Sequence, residues 1–225
     1  HMVQTEKMHV GIFSFEQEAE DTAKRLIGGV LNKKIHLPGV HATEEEISTV
    51  IEQVDPYVSI QRNYGGVKLE DMVPKMRYLA KAKNTKLFIV DHLTALATKI
   101  QGDERVGIDK VMEKLGSLTR ELKCCILLVV HLSRDKQQVG RNDPSWGEGR
   151  KPKLENFKGS GGIEAWADCV LGLSRNADSQ DEIEKGILTV EALKARLDGS
   201  KRGHSFNLRY NQVTGKLEDY TSCLQ

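Results

Sequence analysis

The sequence predicts an α/β fold with a mostly parallel central sheet and antiparallel strands at its C-terminal edge. Three observations lead there. Apolar runs at residues 10–15, 87–90 and 127–130 each stop at a polar or ionisable residue: Glu16, Asp91 and His131. Parallel strands buried on both faces read as such continuous runs, and they deliver reactive side chains at their carboxyl ends. Long stretches with helical apolar spacing separate the runs. Two late apolar stretches, residues 187–193 and 205–210, make an antiparallel pair.

The elements follow in order. Residues 9–15 read as a strand, and residues 17–31 as a helix with Ala19, Ala23, Leu26, Ile27 and Val30 on one face. Thr43 opens a second helix with Glu46 three residues on, the pattern of a capping box. Val58-Ser59-Ile60 reads as a short strand. The helix over 68–83 (Leu69, Met72, Val73, Met76, Leu79, Ala80) leads into the strand ending at Asp91. A long helix over 103–123, with Ile108, Val111, Met112, Leu115 and Leu118 on its buried stripe, feeds a strand over 125–130. Periodicity then stops from 133 to 156, in a segment rich in charge and holding Gly140, Pro144, Gly147, Gly149 and Pro152. A loop of this length inside a domain is usually functional or disordered. Residues 163–168 read as helix and 169–173 as strand. There is no internal repeat.

At 225 residues the chain suits one α/β domain with a sizeable core. The formal net charge of +1 excludes a uniformly basic nucleic-acid binder and leaves room for a local basic patch. No apolar run approaches the roughly 20 residues of a membrane span, so no membrane partner is expected. The opening His1-Met2 reads as a cloning remnant. Cys124, Cys125, Cys169 and Cys223 lack metal-type spacing and are expected to be buried reduced thiols in a cytosol-like compartment.

Asp91 is the strongest single candidate. A carboxylate ending the Leu87-Phe88-Ile89-Val90 run can hold Mg²⁺ beside nucleotide phosphates; the plainer reading is a helix-capping aspartate. Glu16 can polarise an attacking water as general base, or simply favour the first turn of a helix. His131 can sense a terminal phosphate by hydrogen bonding, or be structural. Lys194 and Arg196 alternate along an extended segment, which puts both on one side, where they reach a phosphate or form the solvated face of an edge strand. Arg134, Lys136, Arg141, Arg150, Lys151, Lys153 and Lys158 follow His131 and suit contact with a phosphate backbone; Asp135, Asp143, Glu148 and Glu155 dilute that charge. No G-x-x-x-x-G-K-[ST] phosphate loop occurs in the sequence.

The order Gly11-Ile12-Phe13-Ser14-Phe15-Glu16, Ile89-Val90-Asp91-His92-Leu93, Val129-Val130-His131-Leu132, Lys158-Gly159-Ser160-Gly161-Gly162 and Leu193-Lys194-Ala195-Arg196 resembles the hexameric replicative DNA helicases with a RecA-type motor. Phage primase-helicases and Twinkle are the nearest likeness, with the bacterial DnaB branch further off. The resemblance runs from about residue 10 to 210. It implies a RecA-like three-layer fold, with residues 10–212 as the motor, 1–9 as the tag remnant and start of a truncated domain, and 213–225 as a tail.

It further implies that Glu16 is the catalytic base, Asp91 the Walker B carboxylate and metal ligand, and His131 the phosphate sensor. Residues 134–158 would be a DNA-binding loop facing a central channel. Lys194 and Arg196 would be cations donated across a subunit boundary into the neighbouring nucleotide site. Implied cofactors are Mg²⁺ and ATP, dTTP or another NTP. Implied partners are single-stranded DNA, further copies in a ring (a hexamer) and a primase. The setting would be bacterial or host cytoplasm, or an organelle matrix. In the family, a Walker A strand, loop and helix precede the position of Val10; their absence fits a chain cut after the phosphate loop, and such a chain is expected to be a poor NTPase alone. The family more often has arginine where this sequence has Lys158, which keeps the charge and loses bidentate phosphate geometry. A RecA-like recombinase or signalling ATPase, or a non-catalytic DNA-binding and assembly module, are the alternative readings.

Overall fold

The computed structural model describes residues 2–62, 68–98, 100, 103–133 and 144–221. The chain divides into two compact units: residues 1–131 with 161–166, and residues 132–160 with 167–225.

The first unit holds β1 (Val10–Ser14), α1 (Ala19–Leu31), α2 (Glu44–Val54), β2 (Val58–Gln61), α3 (Leu69–Ala82), β3 (Leu87–Asp91), α4 (Leu93–Ala97), α5 (Glu104–Leu122) and β4 (Cys125–Leu128). Residues 161–166 of α6 (Ser160–Trp166) belong to it as well. Its four strands are all parallel, in the order β2-β1-β3-β4. The apolar runs account for this sheet unequally. All five residues of β1 are buried, as a strand covered on both faces requires. In β3 only Phe88 and Val90 are buried. In β4 Cys125 and Leu127 are exposed, because β4 ends the sheet.

Helix packing follows the predicted stripes. Met72, Met76 and Leu79 of α3, and Ile108, Val111, Leu115 and Leu118 of α5, are buried with Phe13 and Phe88. Two glycines are set by close approach. A Cβ on Gly11 would stand 2.7 Å from the ring of Phe88, its register partner on β3. A Cβ on Gly162 would stand 2.4 Å from Asp109 Oδ1 on α5. The capping box at α2 is complete: the Thr43 hydroxyl accepts from the Glu46 amide at 3.1 Å, and Glu46 accepts from the Thr43 amide at 2.9 Å.

The second unit carries β5 (Cys169–Ser174), α7 (Glu182–Lys185), β6 (Ile187–Ala195), β7 (Ser205–Tyr210) and β8 (Leu217–Tyr220). These strands are antiparallel in the order β5-β6-β7-β8, with a register shift between Val170 and Leu171. Among residues 144–159 there is one 3-10 turn, Leu154–Asn156, tied back by the Ser133 amide donating to the Asn156 carbonyl at 2.7 Å. The irregularity expected after His131 thus holds for that part, while residues 134–143 lie outside the described residues.

Several boundaries differ from expectation. The parallel and antiparallel strands form two four-stranded sheets. Residues 217–220, placed in the tail, pair with β7 as β8. The strand before His131 ends at Leu128 instead of 130, although the Val129 amide still donates to the Val90 carbonyl at 2.9 Å. The thiols are corrected too: Cys125 and Cys169 are exposed and Cys124 half-buried, since the first two alternate outward on β4 and β5. Cys223 lies outside the described residues.

Candidate active site at the carboxyl edge of the parallel sheet

Parallel pairing sets the site. β1 and β3 run side by side with Ser14 opposite Asp91, and the Phe15 amide still donates to the Asp91 carbonyl at 2.7 Å. Glu16 therefore emerges one residue past that last bond, at the edge where β3 ends. The chain continues from Asp91 through a cis peptide to His92. Beyond β4, the Leu93 amide bonds the Val129 carbonyl at 3.0 Å, which leads the third strand to the same edge two residues before His131. Three parallel strands thus release Glu16, Asp91 with His92, and His131 together.

The side chains meet there. His92 Nε2 lies 2.9 Å from Glu16 Oε1, and the His92 and His131 rings stack with centroids 4.2 Å apart and 20° between planes. Ligand atoms of Glu16, His92 and His131 all lie within 4.8 Å of one another. His92 has only 12% of its side chain exposed, whereas Glu16 has 51%. A carboxylate accepting from Nε2 puts the imidazole proton on that nitrogen. His92 Nδ1 is buried with no hydrogen-bond partner among the described residues. The arrangement gives an exposed carboxylate held by one imidazole, which is itself packed on a second, exposed imidazole. Such a carboxylate is suited to accept a proton from water in a fixed direction. Sequence reasoning missed His92. Its one signal was adjacency to Asp91 at a strand end, where the neighbouring runs also delivered ionisable groups.

The other predicted residues belong to the second unit. Lys194 is half-buried in β6, opposite Val170. Arg196 follows β6; its amide donates to the Asp168 carbonyl at 2.7 Å and its guanidinium to Asp168 Oδ1 at 3.1 Å. Lys151 stands 3.9 Å from Glu191. Arg150 lies over the Trp146 ring, 4.5 Å from its centre, and the Trp146 indole N–H donates to the Ser133 carbonyl at 3.3 Å. Lys153 is exposed and Lys158 half-buried. Arg134, Lys136 and Arg141 lie outside the described residues.

The fold class is RecA-like α/β. A solved DnaB-like replicative helicase, described with its interactions with primase, matches at a TM-score of 0.77 and 22% identity, over 97% of this chain and 52% of that one. A KaiC-like protein, PH0186 from Pyrococcus horikoshii OT3, matches at a TM-score of 0.63 and 14% identity, over 98% of this chain and 79% of that one. Within this class the family is specific: residues 1–217 match the model of the DnaB-like helicase C terminal domain, and the chain belongs to that family.

Curated relatives agree. The DNA helicase/primase of Enterobacteria phage T3 is 23% identical over 222 residues, 93% of this chain and 37% of its own length. The replicative DNA helicase DnaB of Helicobacter pylori strain J99 is 26% identical over 220 residues, 93% of this chain and 43% of its own length. The chain spans about two fifths of these relatives. The family is the one that the order of motifs indicates.

Proposed function

We infer that this chain is the motor portion of a replicative DNA helicase that hydrolyses a nucleoside triphosphate to move along single-stranded DNA and part a duplex. The observation carrying this reading is the release of Glu16, Asp91 and His131 at one edge of a parallel sheet, in a chain whose family match runs over residues 1–217. Asp91 offers the hard oxygen donor that Mg²⁺ prefers, so its carboxylate fits that ion. When bound, Mg²⁺ supplies charge neutralisation at the phosphates of ATP, dTTP or another NTP.

The chain's own residues divide the remaining work. Glu16 takes the proton from the attacking water, and His92 fixes the Glu16 carboxylate through the 2.9 Å contact. His131 donates a hydrogen bond to the terminal phosphate, and its ring passes any displacement to the stacked His92. Lys194 and Arg196 reach a neighbouring copy's nucleotide in a ring of such chains, a hexamer in this reading. Arg196 is suited to this because its ion pair with Asp168 is open to solvent, with 42% and 67% of the two side chains exposed. Exposed ion pairs contribute only about 0–1 kcal/mol, so the pair with Asp168 itself opposes transfer of the guanidinium to a phosphate only weakly. The cations at 150, 151, 153 and 158, with those at 134, 136 and 141, hold the DNA backbone. A primase partner and a cytoplasmic setting complete the reading, in keeping with the phage and bacterial relatives. This chain by itself binds nucleotide weakly in this reading, because its sequence holds no G-x-x-x-x-G-K-[ST] cradle.

The test joins this chain to a phosphate-loop segment. Arg196→Ala is expected to lower DNA-stimulated turnover by about 10³-fold, the scale of an arginine finger, with nucleotide binding nearly unchanged. Unchanged turnover would defeat the shared site. A forked-duplex assay separates a helicase from the other RecA-like activities that the KaiC-like likeness leaves open, since that likeness concerns fold alone.

A further inference from the structure

We propose that Glu16, His92 and His131 form a binding site for a borderline divalent transition ion of the zinc class, separate in chemistry from the Mg²⁺ expected at Asp91. Among the described residues they are the one group of three ligand-type side chains brought within 4.8 Å of one another. Two imidazoles and one carboxylate make a donor set suited to zinc, nickel or copper, whereas Mg²⁺ prefers oxygen ligands and octahedral geometry. With bonds of about 2.0–2.1 Å, ligand atoms on one tetrahedral ion stand about 3.3 Å apart. The Glu16–His92 pair, at 2.9 Å, is already close to that separation.

The rest of the adjustment falls to His131. Stacked rings at 20° cannot both aim a lone pair at one ion, so one ring must turn. His131 is the exposed member and stands three residues beyond the end of β4, whereas His92 is nearly enclosed. The proton given up by His92 Nε2 passes to Nδ1, the buried nitrogen with no partner among the described residues. That unpaired N–H keeps the affinity in the micromolar range, below that of a dedicated structural site. A fourth position stays open to water.

The site itself stands on geometry alone. Its consequence rests on the functional reading: a captured ion occupies the carboxylate assigned as base and the imidazole assigned as phosphate sensor, and so silences hydrolysis.

The test uses this chain without nucleotide. Calorimetric titration with Zn²⁺, and with Co²⁺ followed by visible absorption, is expected to give one ion per chain at micromolar affinity. The cobalt complex should show no thiolate charge-transfer band, and Mg²⁺ should give no saturable heat. Glu16→Gln and His131→Ala should each weaken binding at least tenfold, with circular dichroism confirming that the variants fold. A Cys124→Ser, Cys125→Ser double variant should leave binding unchanged. Absence of binding at 100-fold excess metal, equal affinity in the Glu16 and His131 variants, or loss in the cysteine variant overturns the proposal. None of these results bears on whether Glu16 acts as a base with Mg²⁺ and nucleotide present.

Discussion

His9 shows what a single side chain contributes inside this fold. It is 7% exposed, with Nδ1 2.8 Å from the Thr85 hydroxyl and Nε2 3.2 Å from the Ser59 hydroxyl. Burial, and then the charge of Lys83, pull its pKa below the ordinary 6.5. The unfolded chain therefore binds the proton more readily than the folded one. Its contribution to stability is full above about pH 6.5 and is lost as pH falls below that towards the depressed folded value. The melting temperature is expected to drop between pH 7.5 and 5.5, and His9→Asn should flatten that slope whatever it does to the midpoint. A slope identical in the variant would remove His9 from this account. The sequence marked residue 9 only as the start of a strand. His92 escaped for a related reason: its partners, Glu16 and His131, lie 76 and 39 positions away, and only strand order brings them to it.

At the scale of elements, local patterns were readable and non-local exposure was not. The Thr43–Glu46 capping box is written in four residues and forms as written. Thr43→Ala should cost about 1 kcal/mol in urea unfolding, while Thr43→Ser should be nearly neutral because serine keeps the accepting oxygen. Equal stability of both variants and the parent would mean that α2 needs no cap. The stripes of α3 and α5 were likewise visible, since spacing along a helix is a local property. Short elements left no comparable signal: α4 has five residues, α7 has four, and β8 exposes three of its four. The run ending at Leu128 resembles that of β1 in composition, yet Cys125 and Leu127 are exposed. Which strand ends a sheet depends on the order of pairing, and composition does not encode it.

For the molecule as a whole, charge balance bears on the proposed hold on DNA. A net charge of +1 supplies no general attraction, so in the proposed function the grip on DNA is assigned to the seven cations at 134, 136, 141, 150, 151, 153 and 158. If all seven neutralise phosphates, the logarithmic salt slope on single-stranded DNA is about −5, and removing two cations reduces its magnitude by about 1.4. Fluorescence titration of a labelled oligothymidylate from 50 to 200 mM salt should show that reduction in the Lys151→Ala, Lys153→Ala double variant; an unchanged slope would take both lysines out of the interface. Connectivity matters at this scale as well. The polypeptide leaves the first unit after residue 131, returns for residues 161–166, and departs again. One backbone passes between the two bodies three times, so a single protease cut between residues 134 and 143 severs residues 1–131 from the second unit and leaves only α6, at residues 161–166, as the part of the first unit still continuous with it. Neither body can be excised as one uninterrupted stretch of gene without losing or gaining part of that short helix.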